Sequence, residues 1–144
     1  MGFDASSTIH VLAVSSSPEE VASLRKIFSH SRWRLSQAAT CAEAISLAPA
    51  EPIRVVIGSA NLQDGTWRDL LALCASRAKP PKLIVASRVA DDRLWAEALN
   101  LGAHDVLAVP FRAAEVFRSV SLASRNWKDA FAHLDRAAGA AVAA

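Results

Sequence analysis

Hydroxyl, imidazole, thiol and carboxylate groups are the parts of this chain that could do chemistry, and their spacing decides which chemistry is open to them. Ser15, Ser16 and Ser17 stand in a row directly before Pro18. A serine becomes a nucleophile beside a base or a metal, and neither is evident next to this run. Its position suits a turn and a helix cap, because a serine hydroxyl accepts a first-turn N–H; an anion site at the same helix start is the alternative. His104 and Asp105 look like half of a catalytic set, yet neighbours in extended chain point apart. Asp64 precedes Gly65 and reads as a turn residue, and Asp91 and Asp92 read as helix caps or first-turn acids. His10, His30 and His133 have no ligand spacing to other donors and are expected at the surface or at edges. Cys41 and Cys74 fall in expected helices without an adjacent base, so both are expected as free structural thiols. No catalytic, metal or cofactor constellation emerges, and the chain is not expected to be an enzyme.

The elements that must carry these residues follow from composition and pattern. The 144 residues match one domain, and 52% hydrophobic with 21% charged residues is the balance of a packed core. A net charge of +2, with the basic residues scattered along the chain, does not indicate a nucleic-acid surface. Neither a leader nor a membrane span is legible, so a cytoplasmic protein is expected. Residues 9–14 read as a buried strand followed by a helix that Ser17 caps, with Pro18 in its first turn and Glu20 closing a capping box. Residues 33–38 read as an edge strand, and Thr40 with Glu43 opens a second helix ending before Pro49. A buried strand at 53–57 leads through a loop at 61–65 to a helix opened by Thr66 and Asp69. Residues 82–86 form a fourth strand, Asp91 or Asp92 caps a fourth helix that Gly102 terminates, and 106–109 form a fifth strand stopped by Pro110. A last helix begins near Ala113 and reaches as far as His133. Strand and helix alternate throughout, which implies an α/β, doubly wound five-stranded parallel sheet of order 2-1-3-4-5, with ligands at the carboxyl ends of the strands.

Four segments in this order carry a resemblance to a known family. They are Val14-Ser15-Ser16-Ser17-Pro18, Leu62-Gln63-Asp64-Gly65, the stretch from Ala98 to Asp105, and Val109-Pro110-Phe111. Together they resemble the receiver domains of two-component response regulators over residues 9–124, which implies a flavodoxin-like receiver fold. The resemblance also implies a site: an acidic pair for Mg²⁺ after strand 1, a phosphoacceptor Asp after strand 3, then a Thr/Ser and a Lys. Here the acidic pair falls on Ser15 and Ser16, the acceptor on Ser59 or, in a longer loop form, on Ile57. The Thr/Ser position falls on Ala86, the Lys position on Val109, and the aromatic switch position on Val106. Each position departs from the family pattern, so the chain is identified as a degenerate member, a pseudo-receiver without phosphotransfer.

What remains for such a scaffold is shape. Trp95 lies on the fourth helix, on the side where receivers pair through helix 4, strand 5 and helix 5; Trp95, Val106, Phe117, Trp127 and Phe131 are therefore the candidate interface. A helical stripe of Val120, Ser124, Trp127, Phe131 and Leu134 must cover the domain's own flank, a second copy or a partner. Residues 1–125 are read as the receiver-like domain and 126–144 as a helical extension with an alanine-rich tail. The expected function is that of a stand-alone signalling module which binds a protein partner, with a homodimer as one form and without nucleic acid, membrane or cofactor. A receiver phosphorylated in an atypical way, through Ser59 or Asp64, and a small-molecule sensor using the strand-end pocket are the alternatives.

Overall fold

The computed structural model describes residues 8–46 and 53–143, with side chains through 131. Strands β1 (His10–Val14), β2 (Arg34–Ala38), β3 (Val55–Ser59), β6 (Lys82–Ser87) and β7 (Asp105–Ala108) form one parallel sheet of order β2-β1-β3-β6-β7. This is the expected 2-1-3-4-5 order, since the two-residue strands β4 (Asn61–Leu62) and β5 (Gly65–Thr66) pair only with each other. The stretch expected as plain loop is therefore a small antiparallel hairpin. Helices α1 (Pro18–Phe28) and α5 (Ala113–Ala143) cover one face of the sheet, and α2 (Cys41–Ser46), α3 (Trp67–Ala75) and α4 (Asp92–Leu101) cover the other.

Burial on both faces explains the continuous apolar strands. Val11, Ala13, Val55, Ile57 and Ile84 pack against Leu24 and Phe28 of α1 and Val116 and Val120 of α5. Leu12, Val14, Val56, Leu83 and Val85 pack against Trp67, Leu70 and Cys74 of α3 and Ala98 of α4. Gly58 lets α3 come close, because a Cβ there would stand 2.2 Å from Leu70 Cδ2.

Local signals set the helix ends. Ser17 accepts from Glu20 N, Thr66 and Asp69 form a reciprocal capping box, Asp91 accepts from Leu94 N, and Gly102 closes α4 at φ 112° in the left-handed region. The box expected of Ser17 and Glu20 is only half made, because the Glu20 carboxylate accepts from the Ser15 hydroxyl instead, at 2.9 Å. His10, expected at the surface or an edge, is buried, with Nε2 2.6 Å from Ser36 Oγ on the neighbouring strand. Both faces of β1 are covered, so neither side of the strand offers it solvent.

Helix α5 runs through 125/126 without a break, and Ser124 and Trp127 on either side of that boundary are both buried. The extension thus covers the domain's own flank: Arg54 Nη1 donates to Ser124 Oγ at 3.3 Å, and its guanidinium lies 5.1 Å from the Trp127 ring centroid. The side chains of His133, Leu134 and the alanine-rich tail, and the stretch holding Pro49, lie outside the described residues.

Candidate functional site

Parallel strands end on one side, and the register brings the ends of β1, β3, β6 and β7 to one level. Val14 stands opposite Gly58, Ser59 opposite Ala86, and Ser87 opposite Ala108. Ser15, Ser16, Ser59, Ala86 and Val109, far apart in sequence, therefore all lie at the carboxyl ends of the strands; Ser15 and Ser16 line a cavity with Gln37 and Glu43, while Ala86 and Val109 pack into the core facing α1 and α5. Ser15 is fixed there by its N–H to Ala38 O at 2.9 Å, and its hydroxyl accepts from Ser17 N at 3.1 Å while donating to Glu20. Ser16 is exposed, Ser59 half-buried and Ala86 buried. Of the two acceptor readings, Ile57 is sealed in the core facing α1 and α5, whereas Ser59 ends its strand at the cleft. Beyond it the chain closes quickly, with Ala60 N donating to Ala86 O at 2.9 Å and Trp67 N to Ala60 O at 3.1 Å.

The cleft's polar groups are spent locally. Ser87 Oγ accepts from Val89 N at 3.0 Å within the turn after β6. Val109 N donates to Ser87 O at 3.0 Å, the Val109–Pro110 peptide is cis, and the Val109 side chain leans on the α1 and α5 side of the core. Among the described residues no three His, Cys, Asp or Glu side chains come together as a metal-binding group. At the positions of the acidic pair, Ser15 and Ser16 offer hydroxyls, and the nearby Glu20 carboxylate is engaged by the Ser15 hydroxyl, a donor set poorer in charge than a hard divalent cation prefers.

Asp64, the loop carboxylate nearest in sequence, faces elsewhere. Its two oxygens accept from Cys41 N at 2.9 Å and Ala42 N at 3.0 Å, capping α2 across 23 residues, and those amides hold its carboxyl below the ordinary aspartate value. Sequence reading as a turn residue missed this cap, because nothing local links 64 to 41. Burial, and then the Asp64 carboxylate, push the Cys41 thiol up. Burial pushes the Cys74 thiol up to about 11, so both free cysteines rest as inert thiols. The His104 imidazole is held below the ordinary histidine value by burial, against the pull of Asp105 and aided by Lys82. Asp105 itself accepts from Ser119 Oγ at 2.7 Å and Val106 N at 2.8 Å, so the two neighbours form no catalytic couple. A second missed feature is the Arg68–Glu97 ion pair, which bridges α3 and α4 above a cavity of about 320 Å³ lined by Ala60, Ser87, Val89 and Leu94.

The candidate interface residues part company. Trp95 is 51% exposed on α4, as is Leu101 at the end of the same helix. Val106 is half-buried against the α2–α4 side of the core. Phe117 stacks inward, 5.0 Å from Trp33 and 6.4 Å from Phe28 between ring centroids. Trp127, expected at the interface, is 7% exposed and packs within the fold instead: the flank around Arg54 takes its ring. Phe131, half-buried, packs edge-on to it at 4.9 Å.

No family model matches the sequence, and no curated protein does. Solved structures do match in fold. The signal receiver domain of a putative LuxO repressor protein from Vibrio parahaemolyticus superimposes with a TM-score of 0.75 at 21% identity, covering 85% of this chain and 94% of that one. The signal receiver domain of an HD domain-containing protein from Pseudomonas fluorescens gives 0.75 at 22% identity, covering 85% and 99%. A CheY-like receiver domain protein from Methanospirillum hungatei gives 0.72 at 18%, covering 85% and 98%. The chain therefore has the receiver-domain fold of response regulators.

Proposed function

We propose that this chain is a degenerate receiver that signals by binding a protein partner, with no phosphoryl transfer and no catalysis. The observation that carries this reading is the makeup of the strand-end cleft, where Ser59 ends β3 opposite Ala86 and Val109 lies beyond. Phosphoryl transfer needs a cation held by oxygen ligands and a cationic group to meet the developing charge. Serine at 15 and 16, alanine at 86 and valine at 109 supply neither. Ser59 is a hydroxyl without a base beside it, a weak nucleophile at neutral pH. The atypically phosphorylated alternative would have to use that unactivated hydroxyl, or Asp64, whose oxygens are occupied as the α2 cap.

The partner surface is the face where α4 and α5 flank β7, with Trp95 as its anchor; exposed Leu101 and Leu122 lie on the same two helices. A homodimer through this face is one form of the interaction.

Incubation with acetyl phosphate and Mg²⁺, read by intact mass and Trp fluorescence, tests the reading. The expected result is an unchanged mass and an unchanged emission. The variant Ser15→Asp/Ser16→Asp/Ser59→Asp/Val109→Lys, which restores the charged groups, should gain both signals. A phosphoryl adduct on the natural sequence would overturn the proposal.

A further inference from the structure

The sequence scatters its basic residues, and the fold brings several of them to one end of the sheet. Strands of a parallel sheet all start at one end, and the helices that cover them finish there. β2 starts on Arg34, Arg54 directly precedes β3, β6 starts on Lys82, and His104 directly precedes β7. Backbone bonds fix them at one level: Arg34 N donates to Ile9 O at 2.8 Å, Arg54 N to His10 O at 3.3 Å, Lys82 N to Arg54 O at 2.8 Å and His104 N to Leu83 O at 2.7 Å. With neighbouring strands ~4.8 Å apart and β1 standing between β2 and β3, Arg34 starts two strands away from Arg54, and Lys82 one strand away on the other side. Lys26 in the last turn of α1, Arg77 and Lys79 after α3, and Lys128 on α5 surround them.

Carboxylates gather at the opposite end. Glu19, Glu20, Glu43, Asp69, Asp92 and Glu115 occupy the first turns of helices, as the helix macrodipole favours. At the amino end the described carboxylates are Asp105, taken up by Ser119 and Val106, and Asp129 on α5. Several cations there are met by neutral groups. Arg54 meets Ser124 and the Trp127 ring, Lys79 the Phe131 ring at 5.8 Å, and Arg77 Nη2 the Ile45 carbonyl at 3.4 Å.

We propose that this amino-terminal end of the sheet is a docking surface for the phosphodiester backbone of a nucleic-acid duplex, engaged without regard to base sequence. Three cations at the strand starts, Arg34, Arg54 and Lys82, with Lys26, Arg77, Lys79 and Lys128 around them, suit a polymer carrying one negative charge per ~1.7 Å of axis. The rings of this end are covered by their own cations, which removes the stacking platform that single-stranded bases need. The end is also not a plane that could lie on a bilayer, because α5 continues past Phe131 to Ala143.

Fluorescence anisotropy with a short labelled DNA duplex of arbitrary sequence tests this. Binding is expected, weakening linearly in log–log form as salt rises. Lys79→Glu/Lys128→Glu, at two exposed positions, should lower affinity by about tenfold or more and flatten the salt slope. The neutral Lys79→Gln/Lys128→Gln pair should fall between, with thermal melting unchanged in both. Arg88→Glu/Arg93→Glu, the same charge change at the opposite end, should leave affinity as it was. The proposal fails if the duplex does not bind at low salt, or if both Glu double variants lose affinity equally. It also fails if poly-L-glutamate or phosphatidylserine vesicles bind more tightly than the duplex.

Discussion

Burial governs His104 more than the charge of its acidic neighbour Asp105 does. The folded imidazole therefore gives up its proton more readily than the unfolded one. Below the ordinary value of ~6.5 the unfolded chain binds the extra proton first, so stability is full above that value and declines as pH falls through it toward the lower folded value. Chemical denaturation at neutral and mildly acid pH should show this decline, and His104→Gln should make it shallower. An unchanged slope in that variant would assign the acid sensitivity to other groups. At the same scale, Ser15 is the hydrogen-bond centre of the turn after β1, accepting from Ser17 and donating to Glu20.

Elements divide into those whose instructions are local and those that need a distant partner. Ser17, Thr66 with Asp69, Asp91 and Gly102 act within one helical turn, and each is legible in the sequence for that reason. The α2 cap by Asp64 and the burial of His10 depend on residues brought near by the fold, and no periodicity encodes them, whereas the stripe of Val120, Ser124 and Trp127 marked a covered face without naming what covers it. The cleft sits between these cases. Its residue types were readable one by one, but the choice between Ser59 and Ile57 required knowing which of them the core encloses. At this scale α5 carries a prediction. Trp127→Ala should cost about 3–5 kcal/mol, the range for truncating a buried aromatic, and lower the thermal midpoint accordingly. If the domain melts unchanged, the extension is not part of its core.

For the molecule as a whole, the receiver-type sheet and two covered faces leave a small number of surfaces free to act. Trp95 is the test of one of them. Exposed as it is, Trp95→Ala should alter stability by less than about 0.5 kcal/mol while weakening self-association or partner capture, read by sedimentation and by pull-down with a defined partner. Equal sedimentation profiles for both proteins would move the interface off α4. The amino end is a separate surface, and its test shares no residue with this one.

That Arg34, Arg54 and Lys82 all mark strand starts has a kinetic consequence as well. With most of the described carboxylates toward one pole and a cluster of cations toward the other, the tumbling molecule has a preferred heading in the field of a polyanion. Within a screening distance of ~8 Å at physiological salt, its basic pole would swing forward before any atoms touch, and α4 would arrive side-on, still free for a second encounter.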